Sequence, residues 1–193
     1  MNGNTLLKED ERWTYADYKD WELAPGERYE LYRGKAVAMA APSIYHQLIL
    51  MELAKQIAVY LTGKPCKVIP APVDVRLFYE EDESDDTVLQ PDIIVICDKK
   101  KLGPEGGRGA PDFVVEILSP SNKAIEMDLK FDLYRKAGVK EYWVIDPEPK
   151  TIHCYEFNGG RFFYRSYGAT GTALVEVLPG LEIALEPVFA GFV

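Results

Sequence analysis

Apolar and polar positions along the chain change period several times, and each change marks a predicted element. Thr14, with Asp17 three residues on, predicts a capped short helix through Trp21 that Pro25-Gly26 ends. Over residues 28–41, Tyr29, Leu31, Val37 and Met39 alternate about Arg33-Gly34, the pattern of a hairpin. Pro42-Ser43 closes it, and Ser43 caps a helix running to about Leu61. That helix carries Ile44, Leu48, Met51, Ile57 and Leu61, too many apolar residues for a one-sided surface helix, so it is either a core helix or part of a dimer contact.

Residues 73–78 alternate cleanly, whereas 93–97 and 113–118 are continuous apolar runs, as expected of central strands covered on both faces. Ile125, Leu129, Leu133 and Ala137 predict a helix over 121–137 that Gly138 stops. A further strand at 142–145 makes 112–146 a βαβ unit, parallel and right-handed. The last third is β-rich: 152–157 and 161–167 flank Asn158-Gly159-Gly160, a hairpin signal. No repeat, linker or low-complexity tract divides the chain, so residues 1–193 read as one domain with its core over about 14–157. The fold class is α/β (α+β): a mixed sheet flanked by helices, with additional hairpins.

Composition narrows the chemistry. A chain that is 47% hydrophobic and 27% charged buries a sizeable core and is not disordered. No stretch approaches the roughly 18 apolar residues of a membrane span, and MNGNTLLKEDER offers only a two-leucine patch, so the expected location is cytoplasmic. Cys66, Cys97 and Cys154 lie far apart without a CxxC pair and read as reduced packing residues. With only His46 and His153, a centre built on several histidines is excluded by inventory, and metal chemistry must rest on carboxylates.

The formal charge of −9 is a poor start for gripping a phosphate backbone. The charge is uneven, however. Residues 99–140 hold nine Lys/Arg against six Asp/Glu, and much of the acidic excess falls in Glu80, Glu81, Asp82, Glu83, Asp85 and Asp86, which read as a solvated loop.

Two acids stand out. Pro91-Asp92 opens one central run, and Glu116 interrupts Phe113-Val114-Val115 in the next, where a carboxylate costs stability unless compensated. On neighbouring strands about 4.8 Å apart, such a pair can share a divalent cation. The crossover helix that follows supplies lysines. Lys130 can extend toward the pair, with Lys123, Lys136 and Lys140 as rivals.

Three segments, QPDIIVI, GAPDFVVEILSPS and DLKFDLYRKAGVKEYWVIDP, together with RYELYRGKAVAMAAPSIYHQ upstream, resemble the Uma-two family of restriction-like endonucleases, in register over roughly residues 14–157. The resemblance implies a restriction-endonuclease-like fold of the PD-(D/E)xK nuclease superfamily. That superfamily places an Asp and a Glu on adjacent strands, with a Lys two residues after the Glu. Here the latter position is Leu118, and the resemblance implies a lysine relocated to the helix at Lys130. It further implies that Asp92 and Glu116 hold Mg²⁺ or Mn²⁺ with the Ile117 carbonyl, that Lys130 orients water, that Glu30 is a third acid on the metal, and that DNA is the substrate.

Blander readings stand beside these. Asp92 also fits a turn cap, Glu116 a structural salt bridge to an arginine or to Lys130, and His46 a polar cap or packing residue. Tyr134, Tyr142 and Trp143 fit core packing better than base stacking; Ser119-Pro120-Ser121 fits a helix-capping turn that also suits a phosphate. Two other functions compete: a catalytically degenerate scaffold that binds nucleic acid or protein, and, with little support, a glycosidase carboxylate pair. A homodimer through the helix after Ser43 or the β-rich third would suit cleavage of two strands.

Overall fold

A computed structural model describes residues 11–119 and 124–191. The first elements form where local signals are strongest. Helix α1 (Tyr15–Tyr18) starts at Thr14, whose N–H and hydroxyl both donate to Asp17 Oδ2, at 2.9 and 2.8 Å. Strands β1 (Tyr29–Tyr32) and β2 (Lys35–Ala38) pair antiparallel about Arg33 and Gly34, whose positive φ values of 47° and 79° suit a two-residue hairpin turn. Helix α2 (Ile44–Tyr60) begins at Ser43, whose Oγ accepts the His46 N–H at 3.2 Å. Ile49, Leu50, Leu53 and Ile57 bury one face of α2, while Ile44, Leu48 and Met51 are exposed on the other.

Short strands follow: β3 (Lys67–Pro70), β4 (Val75–Arg76), β5 (Val88–Leu89), β6 (Ile93–Ile96), β7 (Leu102–Gly103), β8 (Gly106–Arg108) and β9 (Phe113–Ile117). Helix α3 (Ala124–Ala137) leads to β10 (Glu141–Asp146), β11 (Thr151–Asn158), β12 (Arg161–Tyr167), β13 (Thr172–Val175), β14 (Leu181–Ala184) and α4 (Leu185–Phe189). One sheet has the order β2-β1-β5-β4-β8-β7, a second β12-β11-β10-β9-β6-β3, and β13 pairs with β14. In the second sheet β9 and β10 are parallel, joined through α3, and all other neighbours are antiparallel. This is the mixed α/β architecture that the alternation predicts, with its sheets flanked by helices.

Strand β9 is buried throughout because both faces are covered. Phe113, Val115 and Ile117 join the core under α2 and α4, and Val114 joins the core under α3. Glu116 therefore points to the α3 side.

Three sequence expectations change. Residues 73–78 alternate as a strand should, yet only Val75–Arg76 is strand. Arg76 turns onto Asp85, with Nε 3.0 Å from Oδ2, and this buried ion pair removes Asp85 from the solvated acidic run. Strands β3, β5, β7 and β8 went unread because two to four residues are too few to display a period. Cys66 and Cys97 are not separate reduced residues but a disulfide with S–S 2.06 Å. The pairing of Lys67 with Ile96 brings the two flanking cysteines face to face, a consequence of register across 31 residues that spacing does not reveal. Cys154 is free and buried, as expected. The predicted start of α3 at Ser121 lies outside the described residues. Among those described, no helix is long and apolar enough to cross a membrane.

Glu141 anchors the C-terminal segment. Fully buried, it accepts Trp143 Nε1–H at 2.7 Å and the Val177 N–H at 2.8 Å. Burial pushes its carboxyl up to about 7, against the pull of these donors. Glu141→Gln exchanges one acceptor for a donor that meets an N–H. The expected loss is about 2 kcal/mol, read as a lowered urea midpoint; an unchanged midpoint would mean that water can replace the carboxylate there.

Candidate active site

Strands β6 and β9 run antiparallel with Ile93 opposite Val115. One step along that register, Asp92 stands opposite Glu116, and the two-residue period sets both on the α3 side of the sheet. Helix α3 returns over this face. Its Lys130 and Tyr134, one turn apart, both donate to Glu116 Oε1, at 2.9 and 2.6 Å. Lys130 Nζ also donates to Glu30 Oε1 at 3.1 Å. Glu30 comes from β1 of the other sheet, held by the Gln90 N–H at 2.8 Å and by the Tyr32 hydroxyl. Asp92 Oδ2 accepts the Ile117 N–H at 2.7 Å, and its Oδ1 lies 3.1 Å from His46 Nε2. The group opens on a cleft of about 450 Å³ whose walls include Arg28, His46, Gln47 and Ser119.

Burial makes these charges matter. Glu30, Glu116 and Lys130 are 2%, 5% and 3% exposed. Desolvation pushes the Glu116 carboxyl up to about 8, against the opposing pull of Lys130. Desolvation also works against the Lys130 ammonium, but the Glu116 and Glu30 carboxylates outweigh it and hold Lys130 well above the ordinary lysine range. Counted formally, Asp92, Glu116 and Glu30 set three negative charges against one ammonium, a surplus of two. This formal surplus beside a cleft can be met by a proton on Glu116, which burial favours, or by another counter-charge.

The donor set fits a hard divalent cation. The hydrogen bonds that Glu116 accepts from Lys130 and Tyr134 both fall on Oε1, and the Asp92 charge is near enough to act on the same carboxyl. Glu30 accepts from Lys130 and Gln90 on one oxygen and from Tyr32 on the other, and Lys130 links it to Glu116. Among the described residues no three His, Cys, Asp or Glu side chains form a complete metal cage. A carboxylate pair suits an ion that keeps several waters, as Mg²⁺ does.

Two of the rival lysines are engaged elsewhere, Lys136 with Asp132 at 3.3 Å and Lys140 with Asp112 at 2.6 Å; Lys123 lies outside the described residues, as do Pro120 and Ser121 of the proposed phosphate-receiving turn. The sequence favours packing for Tyr134 and a polar cap or packing role for His46. The rings are buried as packing predicts, but the Tyr134 hydroxyl binds Glu116 and the His46 imidazole binds Asp92. Gln90, the first residue of QPDIIVI, holds Glu30 through its backbone N–H, a role that its side chain does not announce. The only signals are the i, i+4 spacing from Lys130 to Tyr134 and the places of His46 and Gln90 within the motif segments.

Residues 15–186 match the family model Uma2, described as "Putative restriction endonuclease". An uncharacterized protein of Synechocystis sp. is 25% identical over 177 residues, covering 91% of this chain and 90% of that one. The crystal structure of a "putative nuclease belonging to DUF820" from Anabaena variabilis superposes with a TM-score of 0.72 at 18% identity, covering 92% of this chain and 98% of that one. The two share a fold.

Lys130→Met strands two buried carboxylates. At pH 8 the expected destabilisation is about 3–5 kcal/mol. The Glu116 carboxyl, raised by burial and now without the opposing pull of Lys130, binds more protons folded than unfolded, so the variant loses stability as pH rises and recovers toward pH 5. Urea midpoints at pH 5 and 8 measure this; equal losses at both would mean that the carboxylates are solvated.

Proposed function

The chain belongs to the Uma2 family, and on that premise we propose that it is a divalent-metal-dependent endonuclease hydrolysing phosphodiester bonds of DNA. Residues 1–193 are taken as one restriction-endonuclease-like domain, with Asp92, Glu116 and Lys130 as its working set. One observation carries the reading: the Lys130 ammonium lies 2.9 Å from Glu116 and 3.1 Å from Glu30 at the wall of a cleft, although Leu118 occupies the position where the superfamily keeps its lysine.

Asp92 and Glu116 would hold Mg²⁺ or Mn²⁺, with the Ile117 carbonyl as a further oxygen. When bound, such an ion supplies positive charge against the phosphate and makes water a stronger acid. Lys130 does a different job. Its raised pKa keeps it protonated, so it donates hydrogen bonds and cannot serve as the base. Held between Glu116 and Glu30 by two of its N–H groups, it has one left to donate to the attacking water or to a non-bridging phosphate oxygen. Tyr134 and Tyr32 fix the two carboxylates that steer it. Glu30 acts through Lys130, as the third acid of the site.

A scaffold that binds nucleic acid or protein without cleaving it is the second reading, favoured by the net charge of −9 and by Leu118. The close lysine favours the enzyme, because an ammonium beyond about 6 Å from the carboxylates would lie outside direct charge-pair range.

Incubation of purified protein with single- and double-stranded DNA plus Mg²⁺ or Mn²⁺ tests the proposal. Glu116→Ala and Lys130→Met should each lower cleavage by about 100-fold or more. Wild type and Glu116→Ala equally inactive, with neither binding metal, would refute it.

Metal binding also has a pH signature. Burial raises the Glu116 carboxyl, so protons compete with the ion for it and Mn²⁺ affinity should rise with pH through the neutral range. Calorimetry in buffers of different ionisation enthalpy should record proton release on Mn²⁺ binding at pH 7; no release would remove Glu116 from the ion's ligands.

A further inference from the structure

His46 lies outside the Asp92/Glu116/Lys130 set, and packing alone does not account for it. It is 7% exposed, sits in the first turn of α2 and lines the cleft. Its Nε2 is 3.1 Å from Asp92 Oδ1, while its Nδ1 is buried without a hydrogen-bond partner among the described residues. Buried polar atoms are nearly always paired, since the lost water bond must be replaced. A side chain kept only to pack α2 against the sheet would do better as an apolar residue of similar size.

The bond that His46 does make is well defined. Of the two neutral tautomers, only Nε2–H can donate to Asp92 Oδ1; a bare Nε2 would set two lone pairs against each other. The Ser43 Oγ cap on the His46 N–H fixes the turn that carries the ring. On its other side the Asp92 carboxylate accepts the Ile117 N–H through Oδ2 at 2.7 Å, so it is held between α2 and β9.

We infer that His46 is a positioning residue for the divalent cation: its Nε2–H···Oδ1 bond sets the Asp92 carboxylate in the orientation in which Asp92 and Glu116 share one ion. This rests on the metal-dependent reading above. Carboxylates that bind metals are themselves oriented by hydrogen bonds, and loss of such a partner typically weakens metal affinity about 10–100-fold. The unpaired Nδ1 is the stability cost of keeping that bond.

The experiment titrates Mn²⁺ alone into EDTA-stripped protein by calorimetry and records thermal melting of each variant. His46→Leu should bind Mn²⁺ about tenfold or more weakly yet melt at or above the wild-type temperature. His46→Gln, whose terminal amide stands where Nε2 does, should recover most of the affinity. Glu116→Ala should abolish binding.

Wild-type affinity in His46→Leu, with binding lost in Glu116→Ala, overturns the role of His46 and leaves the metal reading standing. Absence of Mn²⁺ binding by the wild type, or wild-type affinity in Glu116→Ala, overturns both. A lowered melting temperature and weak binding that His46→Gln does not recover assign His46 to the fold and overturn the inference. Should His46→Leu not fold, His46→Gln is compared with the shorter His46→Asn, and equal affinities overturn it.

Discussion

Placing an ammonium where only 3% of the residue meets solvent costs several kcal/mol unless close, hydrogen-bonded counter-charges compensate it, and Lys130 meets that condition twice. Glu116 reaches it from β9, a central strand of the second sheet, and Glu30 reaches it from β1 of the first. Lys130 itself arrives on α3. One ammonium therefore joins three elements that share no local sequence. The carboxylates recruit further donors: at Glu30 the Gln90 N–H shares Oε1 with Lys130 while the Tyr32 hydroxyl takes Oε2, and at Glu116 the Tyr134 hydroxyl shares Oε1 with Lys130. Each of those groups is placed by the need to satisfy an acceptor that burial has separated from water.

The same burial leaves the site unbalanced. Three carboxylates face one ammonium, and burial raises the Glu116 carboxyl far enough that a proton can stand in for the absent charge. Under the proposed function that proton yields to a divalent ion, and the acidic site then becomes able to receive a phosphate. The net charge of −9 counts less against DNA than it first appears to. Part of the negative charge lies at the cleft, where a cation would meet it.

How much was legible in advance followed from how local each signal is. The β1–β2 hairpin, the Ser43 cap, the β9–α3–β10 crossover and the β11–β12 hairpin all rest on residues within one or two turns of each other, and each appears in the structure. Glu116 was conspicuous because it breaks an apolar run, a signal contained in five residues. The short strands β3, β5, β7 and β8 carried no period long enough to read. The disulfide and the Arg76–Asp85 pair depend on which residues face each other across a pairing or a fold-back, and sequence spacing is silent on that.

By itself, then, the sequence determined the element types, the two-sided burial of β9 and the acids at 92 and 116, because hydrophobic period and the cost of a carboxylate in an apolar strand are properties of neighbouring residues. The family resemblance pointed to Lys130 and Glu30, and the tertiary structure decided how they meet: Lys130 bridges Glu116 and Glu30, and His46 and Tyr134 are polar neighbours of Asp92 and Glu116. Those facts depend on strand register, on the return path of α3 and on the meeting of two sheets. All three are set by packing between segments as much as 100 residues apart.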